Sequence, residues 1–206
     1  PRVSGDDGGQ PGGNIRVGCL YNPERVELDK DSVKRIGETE PVFEGGRKSL
    51  AAAFRFRPTG KTLNVINNHW ASKFGSTPTY RNPEVPEVVG GEEERDGQQK
   101  VIEVYVEALK AKDPNARILS VGDFNAAGHE PPLRAHGSGV LFNLGEQVPD
   151  AERYSYVFQG IAQAIDHQFA SRNLAGKVEF EYVNVNAAFA DKTADHDPNL
   201  SRVDMS

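Results

Sequence analysis

The stretch Ile118-Leu119-Ser120-Val121-Gly122-Asp123-Phe124-Asn125 runs from a short apolar segment straight into a polar turn. Residues 118–121 read as a buried strand, and Asp123 and Asn125 fall where that strand ends. Both residue types bond their own backbone in turns, so capping alone would explain either one. An acid and an amide on either side of one phenylalanine, directly after a buried strand, is a less ordinary pairing. Strand ends are also where loops on a rigid scaffold carry chemistry.

Working back from that strand, Ile102, Tyr105, Val106 and Leu109 fall at helical spacing, which predicts a helix over about 98–112, ended by Asp113-Pro114. Before it lies a long loop, 71–94, with prolines at 78, 83 and 86 and Gly90-Gly91. Loops of this length in compact domains are functional or disordered. Further back, Leu50, Ala52, Phe54 and Phe56 share one face at period two. Pro58-Thr59-Gly60-Lys61 then turns the chain into residues 62–68, which makes a hairpin. Residues 15–21, closed by Asn22-Pro23, are expected to form another strand, and 1–13 read as a flexible linker ahead of one domain, 14–206. Working forward, 154–158, 164–170 and 178–187 are strand candidates. The chain is therefore mixed, with strands mostly in hairpins, one crossing helix and no internal repeat.

Bulk properties narrow the function classes. At 206 residues, 37% hydrophobic and 26% charged, the chain supports one sizeable core. No apolar run is long enough to cross a bilayer, and no leader or transit segment is visible. The single Cys19 rules out an internal disulfide framework. A formal charge of −6 argues against a protein that holds nucleic acid on a broad basic surface. A catalyst is less constrained, because it needs positive charge only at the reacting phosphate.

Three more short features place polar side chains at the ends of apolar strands: Asn67-Asn68-His69, Ile165-Asp166-His167 and Asp195-His196-Asp197-Pro198. Taken singly, each has a plain explanation. His69 fits an ordinary strand-end histidine, Asp166 a surface turn, and the last run a polar turn closed by proline. His129, His136 and His167 read as loop or surface residues, and Arg47, beside Lys48, as a solvated charge.

The order and spacing of the whole set resembles the endonuclease/exonuclease/phosphatase superfamily, to which pancreatic deoxyribonuclease and abasic-site endonucleases belong. The resemblance is closer to its bacterial extracellular nucleases. It rests on Asn14-Ile15-Arg16-Val17-Gly18, Leu20-Tyr21-Asn22-Pro23, Asn67-Asn68-His69-Trp70 with Ser72-Lys73, Gly122-Asp123-Phe124-Asn125, Arg153-Tyr154-Ser155-Tyr156 and Asp195-His196-Asp197-Pro198. It covers nearly the whole chain from Asn14 onward.

The fold implied is an α/β (α+β) architecture, a deoxyribonuclease-like two-sheet β-sandwich flanked by helices, here without its N-terminal strands. The activity implied is divalent-metal-dependent phosphodiester hydrolysis, a nuclease acting on DNA with RNA as the alternative, secreted and without a membrane partner. By the same resemblance, His196 activates water or orients the phosphate and Asp166 holds its imidazole in one tautomer. His69 stands across the phosphate as general acid or phosphate contact, Asp123 handles a proton or metal-bound water, and Asn125 donates to a phosphate oxygen. Arg47, Asn68 and Asn14 fall on the substrate side, with Asn14 orienting His69; the arginine match is weakened by Ser49 where a proline is usual. Mg²⁺ or Mn²⁺, with Ca²⁺ as a further candidate, suits the oxygen ligands of Asp195, Asp123 and Asn125.

The family's N-terminal half supplies an Asn and a metal-binding Glu, and nothing before Asn14 matches them. The expectation is therefore a C-terminal portion whose missing half or partner chain holds those groups, with weak Mg²⁺ affinity and weak activity alone. Two rivals share the motifs. One is another phosphoesterase, such as a phosphomonoesterase or a sphingomyelinase-like lipid phosphodiesterase; the sequence shows no exposed aromatic hairpin of the kind membrane-acting members use. The other is a non-catalytic remnant.

Overall fold

A computed structural model of the protein describes residues 15–77 and 86–206. Its frame is a six-stranded sheet in the order β1-β2-β3-β4-β8-β5. Those strands are β1 (Val26–Ile36), β2 (Ser49–Phe56), β3 (Thr62–His69), β4 (Arg117–Asp123), β8 (Asp166–Ser171) and β5 (Leu141–Asn143). All neighbours pair antiparallel except β3 and β4. That parallel pair requires a crossover, which helix α1 (Glu92–Lys112) supplies. A second helix, α2 (Pro131–Ser138), lies between β4 and β5. Two short hairpins complete the fold: β6 (Tyr156–Phe158) with β7 (Ile161–Gln163), and β9 (Val178–Tyr182) with β10 (Asn199–Val203).

The strand period separates two apolar layers. On one face Ala51, Ile66, Ile118 and Phe169 pack with Ile102 and Val106 of α1 and Leu133 of α2. On the other, Leu119 and Ala170 pack with Leu144, Leu174 and Val178, and with half-buried Phe180 and Val203 of the β9–β10 hairpin. The expected two-sheet sandwich thus takes the form of one large sheet faced by a two-stranded one among the described residues. No helix among them is long and apolar enough to cross a membrane.

Several elements differ from the sequence reading. Helix α1 begins at Glu92, well before residue 98, because its first turns carry no apolar stripe. They are held by Glu92, Glu93 and Glu94 at the positive end of the helix dipole and by buried Arg95. The Arg95 guanidinium donates to the carbonyls of Ala71 and Gly90, tying the long loop to the helix. Strand β1 is an edge strand with a register shift between Asp29 and Lys34, and its many charges hide it from an apolar pattern. Residues 15–21, expected as a strand, are not one. They lie against the sheet through Asn67 Nδ2 donating to the Gly18 carbonyl and through the Tyr21–Phe54 ring contact. Strand β9 stops at Tyr182, because the backbone N–H groups of residues 185–187 turn to Asp197. His136 and His167 are buried, not surface, residues. The His136 Nε2 bonds Ser120 Oγ at 2.9 Å and the His167 Nε2 bonds the Ala126 carbonyl at 2.9 Å. Burial pushes both imidazoles toward the neutral form.

Candidate active site

Three strand ends set the site. In the sheet register His69 of β3 pairs with Asp123 of β4, and Asp123 pairs with Asp166 of β8. Two carboxylates and an imidazole therefore stand side by side because their strands do. The β3–β4 approach is close: a Cβ on Gly122, whose φ is +128°, would stand 2.1 Å from the Asn68 carbonyl oxygen. Only glycine fits that point in the Gly-Asp-Phe-Asn turn.

The fourth group comes from the C-terminal segment. His196 forms an isolated bridge with Tyr156 at the start of β6, and the next residue's N–H donates to the Ser155 carbonyl at 2.7 Å. This sets the His196 Nδ1 2.6 Å from Asp166 Oδ2. Facing a carboxylate, Nδ1 carries the proton and donates. Asp166 is itself seated by its backbone N–H donating to the buried Ser155 Oγ at 3.1 Å.

Asp123 accepts the Asn125 N–H on Oδ1 at 2.8 Å, while its Oδ2 stands 3.6 Å from His69 Nε2. Asn125 adopts a left-handed conformation, φ +49°, and its Nδ2 donates to the Trp70 carbonyl at 3.0 Å. That leaves its side-chain oxygen and one N–H for a ligand. Arg47 lies against the His69 ring, its Nη1 2.7 Å from Nε2.

The environments pull these groups apart in acidity. Burial, then the nearby Asp166 charge, pushes the Asp123 carboxyl up to about 6. Burial, then the Arg47 guanidinium, pushes His69 down to about 4. The Asp166 hydrogen bond raises His196 above the ordinary imidazole range, against the effect of its burial. Near neutral pH, then, Asp123 is within reach of titration and His69 is neutral, while Asp166 favours the protonated form of His196. The approach of His69 to Asp123 is therefore not an ion pair, and the positive charge at that corner belongs to Arg47. An acid role for His69 in the free protein does not fit this setting.

The placement of the other candidates is mixed. Asn68 is 2% exposed and lies on the opposite face of β3 from His69. It accepts from Ser49 Oγ at 2.8 Å and donates to Ser120 Oγ at 2.9 Å, so its expected substrate contact is corrected to a buried structural role. Asn68→Ala leaves the Ser49 and Ser120 hydroxyls without that partner, and we expect a loss of about 2–3 kcal/mol in urea unfolding. A loss under about 0.5 kcal/mol, the scatter of ordinary surface substitutions, would contradict that role.

Asp195 is exposed, and the acidic or imidazole groups close enough to share one ion among the described residues are Asp123, Asp166 and His196, within 4.8 Å of one another. Asp195 is not part of that group, and its charge acts on His196 from outside. Asn14 lies outside the described residues.

The sequence reading gave no role to Asp197, Ser155 or Tyr156. Asp197 is 3% exposed, and its Oδ1 accepts the N–H groups of Val185, Asn186 and Ala187, which fixes the segment that carries His196. Ser155 and Tyr156 fall inside the Arg153-Tyr154-Ser155-Tyr156 motif, so a signal existed without a function attached to it. The sequence also suggested no exposed aromatic hairpin, whereas β6–β7 is one, turned by Gln159 (φ +50°) and Gly160 (φ +80°).

The donor set fits a hard divalent cation. The Asp166 charge raises the cost of ionising Asp123, which a cation beside them would relieve. Asn125 adds an amide oxygen beside them.

Comparison with known proteins agrees with this architecture. No protein-family model matches the sequence, and no curated protein matches it. Among solved structures, the fold is similar to the human Nocturnin catalytic domain with bound sulfate, with 14% identity, a TM-score of 0.60, and coverage of 88% of this chain and 59% of that one. It is similar to a mannosyl-6-phosphatase of Bacteroides thetaiotaomicron, with 16% identity, a TM-score of 0.63, and coverage of 90% and 69%. It is similar as well to an endonuclease/exonuclease/phosphatase protein of Bacteroides vulgatus, with 16% identity, a TM-score of 0.59, and coverage of 89% and 69%. The class defined here is therefore a fold: the deoxyribonuclease-like α/β fold of endonuclease/exonuclease/phosphatase proteins. The chain spans about three fifths of the Nocturnin domain.

Proposed function

We propose that this protein is a divalent-metal-dependent phosphodiester hydrolase of the endonuclease/exonuclease/phosphatase superfamily, a nuclease that cuts DNA or RNA. The observation that carries this reading is the Asp166–His196 hydrogen bond of 2.6 Å, directly beside Asp123 on the neighbouring strand. Asp123, at about 6, accepts a proton from attacking water. His196, whose protonated form Asp166 favours, orients the phosphate and donates a proton to the departing ester oxygen as the P–O bond breaks. Arg47 and His69 meet the phosphate from the other side, where an anion would push the His69 imidazole back up.

Mg²⁺ or Mn²⁺, held by the carboxylates of Asp123 and Asp166 with Asn125 alongside, would supply charge neutralisation at the phosphate. The reading extends to a secreted enzyme, as the sequence resemblance implies.

A phosphomonoesterase is the second reading, and the likeness to the mannosyl-6-phosphatase favours it. Against it stands an open cleft of about 1330 Å³ that meets the site at His196 and Asn125, a shape suited to a chain more than to a small monoester. Assays in excess Mn²⁺ on DNA, RNA, a chromogenic phosphodiester and a phosphomonoester separate the two. We expect slow, chelator-sensitive cleavage of the diesters. Faster turnover of the monoester would favour the second reading, and no turnover of any substrate by folded, metal-bound protein would leave an idle remnant.

A further inference from the structure

The cleft has an aromatic floor that the hydrolytic chemistry does not use. The Tyr156 ring lies 4.7 Å from the His196 imidazole, tilted by 34°. Two residues along β6, and so on the same face of the strand, the Phe158 ring lies 6.2 Å from that of Tyr156 and within 11° of parallel. Imidazole, phenol and phenyl thus form a row leading outward from the site. Both Tyr156 and Phe158 line the cleft, and Phe158 is 47% exposed.

The row is itself a stack, and the flat face it leaves for a ligand is at its exposed end, Phe158. Among the described residues, the lysine and arginine that line the cleft are already paired, Lys73 with Glu130 and Arg153 with Asp150. A ligand there gains more from flat apolar faces than from free cations. Nucleobases offer such faces at each step of a chain whose phosphates need only one catalytic contact. In a duplex those faces are stacked on each other and cannot meet the row. A lipid surface is the less suited partner, because the rings border the cleft beside His196, where a bilayer would have to enter.

We propose that Tyr156 and Phe158 form a stacking site for the bases next to the cleaved phosphate, so that the protein prefers single-stranded nucleic acid to duplex. The proposal rests on the phosphodiesterase reading for its biological sense, but its test does not need hydrolysis. Fluorescence anisotropy in EDTA would compare a labelled oligothymidylate with an abasic oligomer of the same length and charge. The wild type should bind the oligothymidylate about tenfold more tightly, the worth of one stacked base. Phe158→Ala should remove most of that difference, and Phe158→Trp should keep it. An exposed ring is tested, so folding is not in question.

Equal affinity for the two oligomers, or a difference that survives in Phe158→Ala, would overturn the stacking site. Phe158-dependent binding to phosphatidylcholine vesicles without base-dependent binding would overturn it in favour of a membrane contact. Base-dependent binding without metal-dependent cleavage would uphold it while removing the hydrolase reading. Cleavage of diesters without base-dependent binding would do the reverse.

Discussion

His196→Ala is expected to lower metal-dependent phosphodiester hydrolysis about a thousandfold, within the range for loss of a positioned proton-transfer group. The fold should survive, since the residue is half-exposed and its segment is held by Asp197 and Ser155, not by the ring. Asp166→Asn should cost a comparable factor for a different reason. An amide cannot favour the cationic imidazole, so His196 loses the hydrogen bond that raises its pKa.

The same substitution makes a prediction about pH. Activity needs Asp123 ionised and His196 protonated, which gives a bell whose acid limb, with the cation bound, lies below the value of about 6 set by burial in the metal-free protein. Asp166 raises both groups. Its removal should therefore move both limbs to lower pH, which rates measured across the pH range would reveal. A merely structural defect would lower the bell without moving it.

Asp123→Asn is expected to abolish hydrolysis, by at least about a hundredfold, and at the same time to stabilise the metal-free protein. The sign follows from the raised acidity constant. Asp123 holds its proton more tightly in the folded chain, about 6 against a reference of 3.8. Its favourable contribution is complete below the unfolded value and is lost as pH rises through the folded one. Asparagine keeps the uncharged form throughout. The expected gain is about 2 kcal/mol near pH 8, or roughly 5 °C in Tm, fading below about pH 4. Added Mn²⁺ should narrow the gap, because the cation stabilises the wild-type carboxylate. A variant less stable than the wild type near pH 8 would show that Asp123 is not held at a cost.

How far the sequence reveals this arrangement depends on what each element buries. Strands β2, β3, β4 and β8 were legible because their apolar faces pack on both sides of a central sheet. Edge strand β1 and hairpin strand β10 are charged or half-exposed along their length, so periodicity is silent there. Helix α2 opens with Pro131-Pro132 and holds only eight residues, too few to show an amphipathic pattern. Within the site, His69, Asp123, Asp166 and His196 stood out because each follows an apolar strand or closes a motif. Asn68 was misread because adjacent strand residues face opposite ways: in Asn67-Asn68-His69 only the outer two share a side. A run of the form Asp195-His196-Asp197 does not say which acid turns inward, and here Asp197 does so to receive three backbone N–H groups.

A double-mutant cycle between Asp166 and His196, read as metal-dependent hydrolysis of a chromogenic phosphodiester, tests most directly whether these residues act as one unit. In Mn²⁺ high enough to offset the lost carboxylate ligand, each single substitution should cost about a thousandfold, and the double variant should be no worse than His196→Ala, because Asp166 then works only through that imidazole. Losses that multiply, or single variants as active as the wild type, would contradict it.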